Sequence, residues 1–324
     1  MSNNTFNFVI LPPLDPWAED WAKRLADAAP GWSVTVATDE DAAARLLPTA
    51  DGAYGWVPPH QLALASRLRW LQNPFAGPFV GYYYQELIDH PVTICNPRGI
   101  YSDHIAHHIM MFMLALSRGL PYYHASQQLA EWNPRARQHG YVNLRTATVL
   151  IVGVGGIGAE TARLAHAFGA KVLGIEPRPE HVCPAEIHDS DALDDLLDQA
   201  DFVVTTVPHT PETEGMWNQD RFDRMKRSAY FINIGRGMTT STHDLTAALQ
   251  AGTIAGAGLD VFEVEPLPAD HPLWTMDNVL ITPHVAVADA DDITDRRFDL
   301  LVANARALAD GAPLTNVVDK SKWY

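Results

Sequence analysis

The chain has 324 residues, of which 47% are hydrophobic and 19% are charged, as expected for a globular protein of two ordinary domains. Lys and Arg number 23 against 39 Asp and Glu, which gives a formal net charge of −16. An overall acidic surface argues against a nucleic-acid-binding protein and against a protein of anionic membrane surfaces.

Short β-rich runs alternate with helical patterns in the first hundred residues. The predicted strands are 6–11, 32–37, 53–57, 68–71 and 92–95, and the predicted helices are 17–29 and 40–47. Pro58 and Pro59 follow a strand, where a loop is expected. This alternation predicts a parallel sheet covered by helices on both faces.

A long helix is predicted over 103–118, with apolar positions nearly all round, and Gly119 and Pro121 are expected to end it. A second helix over 122–131 is expected to lead into another domain. There the predicted strands are 149–152, 171–175, 202–205, 230–233, 256–259 and 279–281, and the predicted helices are 156–168, 193–197 and 244–250. A last helix over 290–310 returns to the first domain, so we predict one domain of 1–101 plus 287–324 and an inserted domain of 102–286.

Neither cysteine has the spacing of a redox or metal motif. Cys95 and Cys183 are far apart, and we expect both to be reduced and no metal site to be present. The N-terminus lacks a basic start followed by an apolar stretch, and the most apolar segment, 109–116, is too short to span a bilayer. We therefore expect a cytoplasmic protein without a membrane partner.

A glycine-rich sextet directly follows the predicted strand 149–152 and opens the next helix. Gly153 permits a tight turn, Gly155 lets the backbone approach a pyrophosphate, and Gly158 lets helix and strand pack closely. The helix start, with Gly156 and Ile157, supplies backbone N–H groups and the positive end of the helix dipole. The arrangement predicts a dinucleotide site.

Glu176 ends the next predicted strand, 23 residues after Gly153. A carboxylate at this position can accept hydrogen bonds from the adenosine ribose hydroxyls, and it repels a 2′-phosphate. This favours NAD as the cofactor. Arg178, two residues later, leaves NADP possible, because an arginine here could pair with a 2′-phosphate.

Further motifs follow in a fixed order between residues 70 and 285. They are Asn96-Pro97-Arg98-Gly99, the glycine sextet, Val207-Pro208-His209-Thr210-Pro211-Glu212-Thr213, Asn233-Ile234-Gly235-Arg236-Gly237, Ala257-Gly258-Leu259-Asp260-Val261-Phe262, Glu265-Pro266 and Thr282-Pro283-His284. With this set the sequence resembles the D-2-hydroxyacid dehydrogenase family. The loop Trp56-Val57-Pro58-Pro59 is most similar to that of the glyoxylate/hydroxypyruvate reductases. The resemblance implies an α/β fold of two doubly wound parallel-sheet domains, with a Rossmann cofactor domain inserted into a flavodoxin-like substrate domain.

Three residues are predicted to carry catalysis. Arg236 follows a strand at the carboxyl edge of its sheet, and its planar fork suits the carboxylate of a 2-oxo acid. His284 is expected to exchange the proton of the hydroxyl group, and Glu265 to orient its ring. The implied reaction is hydride transfer between a nicotinamide cofactor and a small 2-oxo acid or D-2-hydroxy acid.

Other residues receive roles from their motifs. Asp260 is expected near the nicotinamide carboxamide. The remaining residues expected along the cofactor are Pro208, Thr210, Thr213, Ile234 and Gly235. Those expected at the substrate are Trp56, Phe75, Ala76, Gly77 and Tyr101, where the loop 73–77 offers backbone N–H groups to the carboxylate. Core packing is an equal alternative for Trp56.

Several alternatives stay open on the sequence alone. A corepressor-type protein of the same fold would bind the cofactor and partners without physiological turnover, and an NADP-dependent reductase is the second rival. We expect a homodimer formed through the cofactor domain, with Trp132 and the loop around Tyr141 near the interface. Five other histidines are interpreted as surface or hydrogen-bonded residues: His104, His107, His108, His209 and His243.

Overall fold

A computed structural model of the chain describes residues 5–77, 79, 81–134, 141–288 and 290–323. Within these residues the strands are β1 (Phe6–Ile10), β2 (Trp32–Val36), β3 (Gly52–Tyr54), β4 (Trp70–Gln72), β5 (Thr93–Cys95), β6 (Thr148–Val152), β7 (Lys171–Ile175), β8 (Glu186–His188), β9 (Phe202–Thr205), β10 (Tyr230–Asn233), β11 (Gly256–Leu259) and β12 (Val279–Ile281). The helices are α1 (Ala18–Ala28), α2 (Glu40–Leu46), α3 (Pro59–Leu62), α4 (Gln85–Asp89), α5 (Ser102–Ser117), α6 (Leu120–Gln128), α7 (Gly156–Ala167), α8 (Leu193–Leu196), α9 (Gln219–Arg224), α10 (Thr242–Ala251) and α11 (Ile293–Asp310).

The described residues divide into two compact units. One unit comprises those of Met1–Ile100 and Asp291–Tyr324, and the other those of Tyr101–Ala290. No helix in the described ranges is both long and apolar enough to cross a membrane.

The first unit is built on a parallel five-stranded sheet of order β2-β1-β3-β4-β5. This is the flavodoxin-like order, in which the chain reverses direction across the sheet between β1 and β3. Successive side chains of β1 face opposite sides, since Phe8 and Ile10 join one core cluster and Val9 joins the other. The sheet is therefore buried on both faces, as its near-continuous apolar strands predict.

The second unit contains a parallel seven-stranded sheet of order β12-β11-β10-β9-β6-β7-β8. Counted across the sheet from β8 to β11, six strands follow the Rossmann order 3-2-1-4-5-6. Strand β12 lies beyond β11 and forms the other edge of the sheet. Leu150 and Val152 of β6 face one core cluster, while Val149 and Ile151 face the other. The predicted fold class is confirmed for both units.

Some predicted boundaries and elements were wrong. Pro121 lies in the first turn of α6, where its missing N–H group costs nothing, so it begins this helix rather than ending the previous one. Pro59 likewise begins α3. Four short elements were not predicted from the sequence, because segments of three to six residues carry too little periodicity: α3, α4, β8 and α9.

Candidate active site

The glycine sextet forms a tight connection from β6 to α7. Gly153 has φ +94°, a conformation that L side chains rarely adopt, and a Cβ at Gly158 would lie 2.2 Å from the carbonyl oxygen of Gly153. A Cβ at Gly155 would meet nothing within 4 Å. Helix α7 starts at Gly156 without a side-chain cap, so its first backbone N–H groups are offered to the open side of Gly155. This cradle fits the pyrophosphate of a dinucleotide.

Glu176 follows β7, beside the glycine loop. Its backbone N–H donates to the carbonyl of His188 at 3.0 Å, and its Oε1 accepts the backbone N–H of Arg178 at 3.1 Å. The carboxylate therefore holds the turn that follows the strand. Arg178 itself is exposed.

The turn after β9 is held together by its own threonines. The Thr213 hydroxyl donates to the carbonyl of Pro208 at 2.7 Å and accepts the backbone N–H of Thr210 at 2.8 Å. Thr210 is buried and Thr213 is partly buried. Their hydroxyl groups thus give this turn its shape, and the segment after β9 lies next to the glycine loop because β9 pairs with β6.

Arg236 follows β10 in a turn shaped by Asn233, a buried residue for which no separate role was predicted from the sequence. The Asn233 side chain accepts the N–H of Gly235 at 2.9 Å and donates to the carbonyl of Arg236 at 3.2 Å. Nη1 of Arg236 donates to the carbonyl of Gly235 at 2.7 Å, and Ile234 is buried. The role of Asn233 could have been predicted from the sequence, because an asparagine at the end of a strand stands two residues before Gly-Arg-Gly.

The guanidinium of Arg236 and the carboxylate of Glu265 interact electrostatically. Burial lowers the pKa of Arg236, and the neighbouring Glu265 opposes that shift. An arginine remains protonated at neutral pH even so, because the ordinary pKa of its guanidinium lies far above neutral pH. The site therefore holds the positive charge of a partly buried guanidinium group.

Glu265 also contacts His284. Its Oε2 lies 2.8 Å from Nδ1 of His284, and its Oε1 accepts the backbone N–H of Phe262 at 2.9 Å. The contact directs Nε2 of the imidazole, the other ring nitrogen, away from the carboxylate. The His284 side chain is 50% exposed, so this nitrogen belongs to an accessible ring.

His284 itself has a left-handed backbone, with φ +55°. Its N–H donates to the carbonyl of Asp260 at 2.8 Å, and the Asp260 carboxylate accepts the N–H groups of Val285 at 2.9 Å and Ala286 at 3.2 Å. The Thr282 hydroxyl donates to the same carboxylate at 2.5 Å. Asp260, which is only 1% exposed, thus ties down the segment on both sides of His284.

The residues predicted for the substrate lie in both units. In the first unit, Asn73 accepts the N–H of Phe75 at 2.9 Å, and the Asn96 side chain donates to the carbonyl of Ala76 at 3.1 Å. The N–H of Phe75 is therefore engaged inside the loop, and the role of this segment at the substrate carboxylate stays a prediction. Gly77 belongs to the same loop.

Trp56 packs against the core of the first unit and meets Phe79 edge-on, with ring centroids 5.2 Å apart. Its Nε1 is buried and has no hydrogen-bond partner in the described part of the chain. Tyr101 falls in the second unit, immediately before α5, where it is 9% exposed.

The remaining histidines differ in their surroundings. His209 pairs with Glu214 at 3.1 Å, and His107 is exposed. His108 is largely buried, and its Nε2 lies 2.9 Å from the Thr282 hydroxyl. Among the residues that the structure describes, no three His, Cys, Asp or Glu side chains are grouped to hold a metal ion.

Residues 110–286 match the family model of the NAD binding domain of D-isomer specific 2-hydroxyacid dehydrogenases. The glyoxylate/hydroxypyruvate reductase A of Yersinia enterocolitica is 32% identical over 287 residues, which are 85% of this chain and 88% of that protein.

Two solved structures are similar over almost the whole chain. A D-isomer specific 2-hydroxyacid dehydrogenase of Xanthobacter autotrophicus, in complex with NADPH and MES, superposes with a TM-score of 0.84 at 30% identity, and the match covers 99% of this chain and 100% of that one. The NADPH-dependent glyoxylate/hydroxypyruvate reductase of Sinorhizobium meliloti, in complex with NADP and sulfate, gives a TM-score of 0.82 at 28% identity, with 98% and 100% covered.

Proposed function

The chain belongs to the D-isomer specific 2-hydroxyacid dehydrogenase family, and on this basis we propose that it reduces small 2-oxo acids of the glyoxylate or hydroxypyruvate type to D-2-hydroxy acids. The observation that carries the proposal is the 2.8 Å contact between Oε2 of Glu265 and Nδ1 of His284, at a carboxylate whose charge also acts on the guanidinium of Arg236. An anion-binding group and an oriented proton donor are what the reduction of a 2-oxo acid requires.

The cofactor is assigned to the glycine cradle. The backbone N–H groups at Gly156 and Ile157 would hold the pyrophosphate, with the open side of Gly155 admitting it. Pro208, Ile234 and Gly235 lie on turns after neighbouring strands of the same sheet and are proposed to line the rest of the site. A reduced nicotinamide bound there supplies the hydride.

Arg236 is proposed to bind the carboxylate of the substrate. A charge-assisted hydrogen bond of this kind contributes about 1.5–3 kcal/mol. Because Nη1 is held by the carbonyl of Gly235, the guanidinium is oriented before the substrate arrives. The proposed substrate contacts are Trp56, Tyr101 and the loop residues Phe75, Ala76 and Gly77.

His284 is proposed to donate a proton from Nε2 to the carbonyl oxygen, which becomes the hydroxyl group, while the carbonyl carbon receives the hydride. The reverse reaction removes the same proton. Glu265 keeps Nδ1 engaged, so that the ring stays oriented and the imidazolium is stabilised beside a carboxylate. General acid catalysis of this kind contributes roughly 10²–10⁴-fold in rate.

NAD is the proposed cofactor, and NADP is the alternative. The Glu176 carboxylate at the end of β7 favours a ribose with free hydroxyl groups. Arg178 and the NADP bound by the Sinorhizobium meliloti relative favour the alternative. Initial rates with NADH and NADPH over a range of concentrations decide between them.

We also propose that the protein is a cytoplasmic homodimer. Trp132 is 97% exposed and Tyr141 is 43% exposed, in the second unit. Sedimentation of the wild-type protein and of a Trp132→Ser variant tests this assignment: a monomeric wild type would contradict it.

The activity is tested by adding glyoxylate, hydroxypyruvate, pyruvate or phenylpyruvate to the protein with NADH or NADPH and following the loss of nicotinamide fluorescence. We expect turnover with glyoxylate and with hydroxypyruvate. A protein that binds the cofactor with micromolar affinity but consumes none with any acid would favour the corepressor-type alternative.

A further inference from the structure

His108 lies on α5, outside the motifs that define the active site, yet it reaches the segment that carries His284. Its Nε2 is 2.9 Å from the Thr282 hydroxyl and 3.8 Å from Oδ1 of Asp260. His108 and Thr282 are 174 residues apart in the sequence. All these residues belong to the second unit.

The packing of α5 against β11 explains how the histidine arrives there. A Cβ at Gly258 would lie 2.7 Å from Cγ of Phe112, so the glycine lets the Phe112 ring approach the strand. Residues four apart share a helix face, which places His108 one turn before Phe112 on the same side. Residues two apart share a strand face, which places Asp260 just beyond Gly258.

The hydrogen bonds have a defined direction. A carboxylate only accepts, so the Thr282 hydroxyl gives its hydrogen to Asp260. The Thr282 oxygen can then only accept from Nε2 of His108, which must carry a hydrogen. Burial lowers the pKa of His108 against the opposing effect of Asp260, which favours the neutral ring with its hydrogen on Nε2.

Asp260 is a buried carboxylate, and its charge is compensated by the Thr282 hydroxyl and the N–H groups of Val285 and Ala286. Leaving a buried charge with fewer donors is unfavourable. The same donors lie on both sides of His284, whose left-handed backbone must be held by its surroundings. The loss of a hydrogen bond to the Asp260 carboxylate therefore changes the position of His284.

We propose that His108 is a positioning residue: through the Thr282 hydroxyl it fixes the Asp260 carboxylate, which holds the 282–286 segment and with it the imidazole of His284. Its effect on catalysis rests on the proposed function, whereas its effect on the segment does not.

The first test compares His108→Leu, which removes the donor, with His108→Gln, which keeps an N–H donor at similar reach. His107→Leu, at the exposed neighbouring position, is the matched control. In His108→Leu we expect kcat to fall by about 10²-fold, as for a misplaced catalytic group, and the Kd of NADH to change by less than about threefold. His108→Gln recovers most of the rate, and His107→Leu equals the wild type.

The second test does not depend on turnover. Hydrogen exchange at the amides of Val285 and Ala286 is expected to accelerate about tenfold or more in His108→Leu and to return towards the wild-type rate in His108→Gln. Exchange that is unchanged in His108→Leu, or equally fast in the Leu and Gln variants, overturns the proposal. If the wild-type protein reduces no 2-oxo acid, the proposed function fails, and this comparison still decides the role of His108.

A double-mutant cycle tests the bridge itself. Thr282→Val removes the hydroxyl at constant shape, and Thr282→Ser retains it. If His108 acts through Thr282, the variant with both His108→Leu and Thr282→Val is about as slow as the slower single variant. Losses that multiply would mean that the two residues act independently, and the proposal would be wrong. Thr282→Val also serves if His108→Leu does not fold.

Discussion

Nδ1 of His284 lies 2.8 Å from Oε2 of Glu265, and the other oxygen of that carboxylate accepts the backbone N–H of Phe262. The main chain thus holds the carboxylate of Glu265, and this carboxylate in turn orients the imidazole of His284. Because both carboxylate oxygens are engaged, the imidazole has one defined orientation, in which Nε2 is the nitrogen left for chemistry.

Replacement of His284 separates catalysis from binding. In His284→Ala we expect kcat to fall by about 10²–10⁴-fold, because the proton donor is lost, while the Kd of NADH measured by fluorescence titration stays within about twofold. Exposed His166→Ala is the control. A parallel loss of cofactor affinity in His284→Ala would contradict a purely catalytic role.

Glu265→Gln keeps the shape of the side chain and removes its charge. The imidazolium then loses a carboxylate partner, and the amide offers only one acceptor oxygen for two donors. We expect kcat to fall about 10- to 100-fold, because the imidazole is no longer held in one orientation. Glu131→Gln, at an exposed position, should leave kcat unchanged. An unaltered kcat in Glu265→Gln would argue that the contact is only structural.

Arg236→Lys tests the binding of the substrate carboxylate. Lysine keeps the charge but cannot form two parallel hydrogen bonds. The expected fall in kcat/KM for glyoxylate is about 10- to 100-fold, with a rise in KM, corresponding to a loss of about 1.5–3 kcal/mol. Steady-state kinetics with glyoxylate measures it, and an unchanged KM would assign the carboxylate to another group. Arg45→Lys, on α2 of the other unit, is the control.

Two glycines of the same loop should respond differently to alanine. Gly158→Ala places a Cβ against the carbonyl of Gly153, and such overpacking costs about 1–3 kcal/mol, which should lower Tm. Gly155→Ala meets no protein atom within 4 Å, so Tm should stay unchanged while the affinity for NADH falls. Thermal unfolding measures Tm, and fluorescence titration measures the affinity for NADH. Retained NADH affinity in Gly155→Ala would mean that the pyrophosphate does not bind at Gly155.

Glu176→Gln should alter the choice of cofactor. Without the negative charge, a 2′-phosphate is repelled less, and we expect the ratio of kcat/KM for NADPH over NADH to rise about tenfold, equivalent to about 1.4 kcal/mol. Glu180→Gln, also in the turn after β7 and exposed, is the matched control. A constant ratio would mean that Glu176 serves only to hold the turn through the N–H of Arg178.

The sequence by itself determined the fold class and the family, and it predicted Arg236, Glu265 and His284 as the catalytic residues. Strands such as β9, β10 and β11 were predicted with their observed bounds, because each is a run of apolar or glycine residues with a polar residue at its end or directly after it. The glycine spacing was readable for a similar reason, since the cradle is formed by residues adjacent in the chain.

Only the tertiary structure decided which donors and acceptors are already used. The N–H of Phe75 is taken by Asn73, and the carboxylate of Asp260 is taken by the segment around His284. The contact of His108 with Thr282 requires α5 to pack against β11 at Gly258, and no local pattern encodes an approach between residues 174 positions apart. Periodicity specifies which face of an element is buried, whereas the partner of a buried polar group is set by how the elements pack.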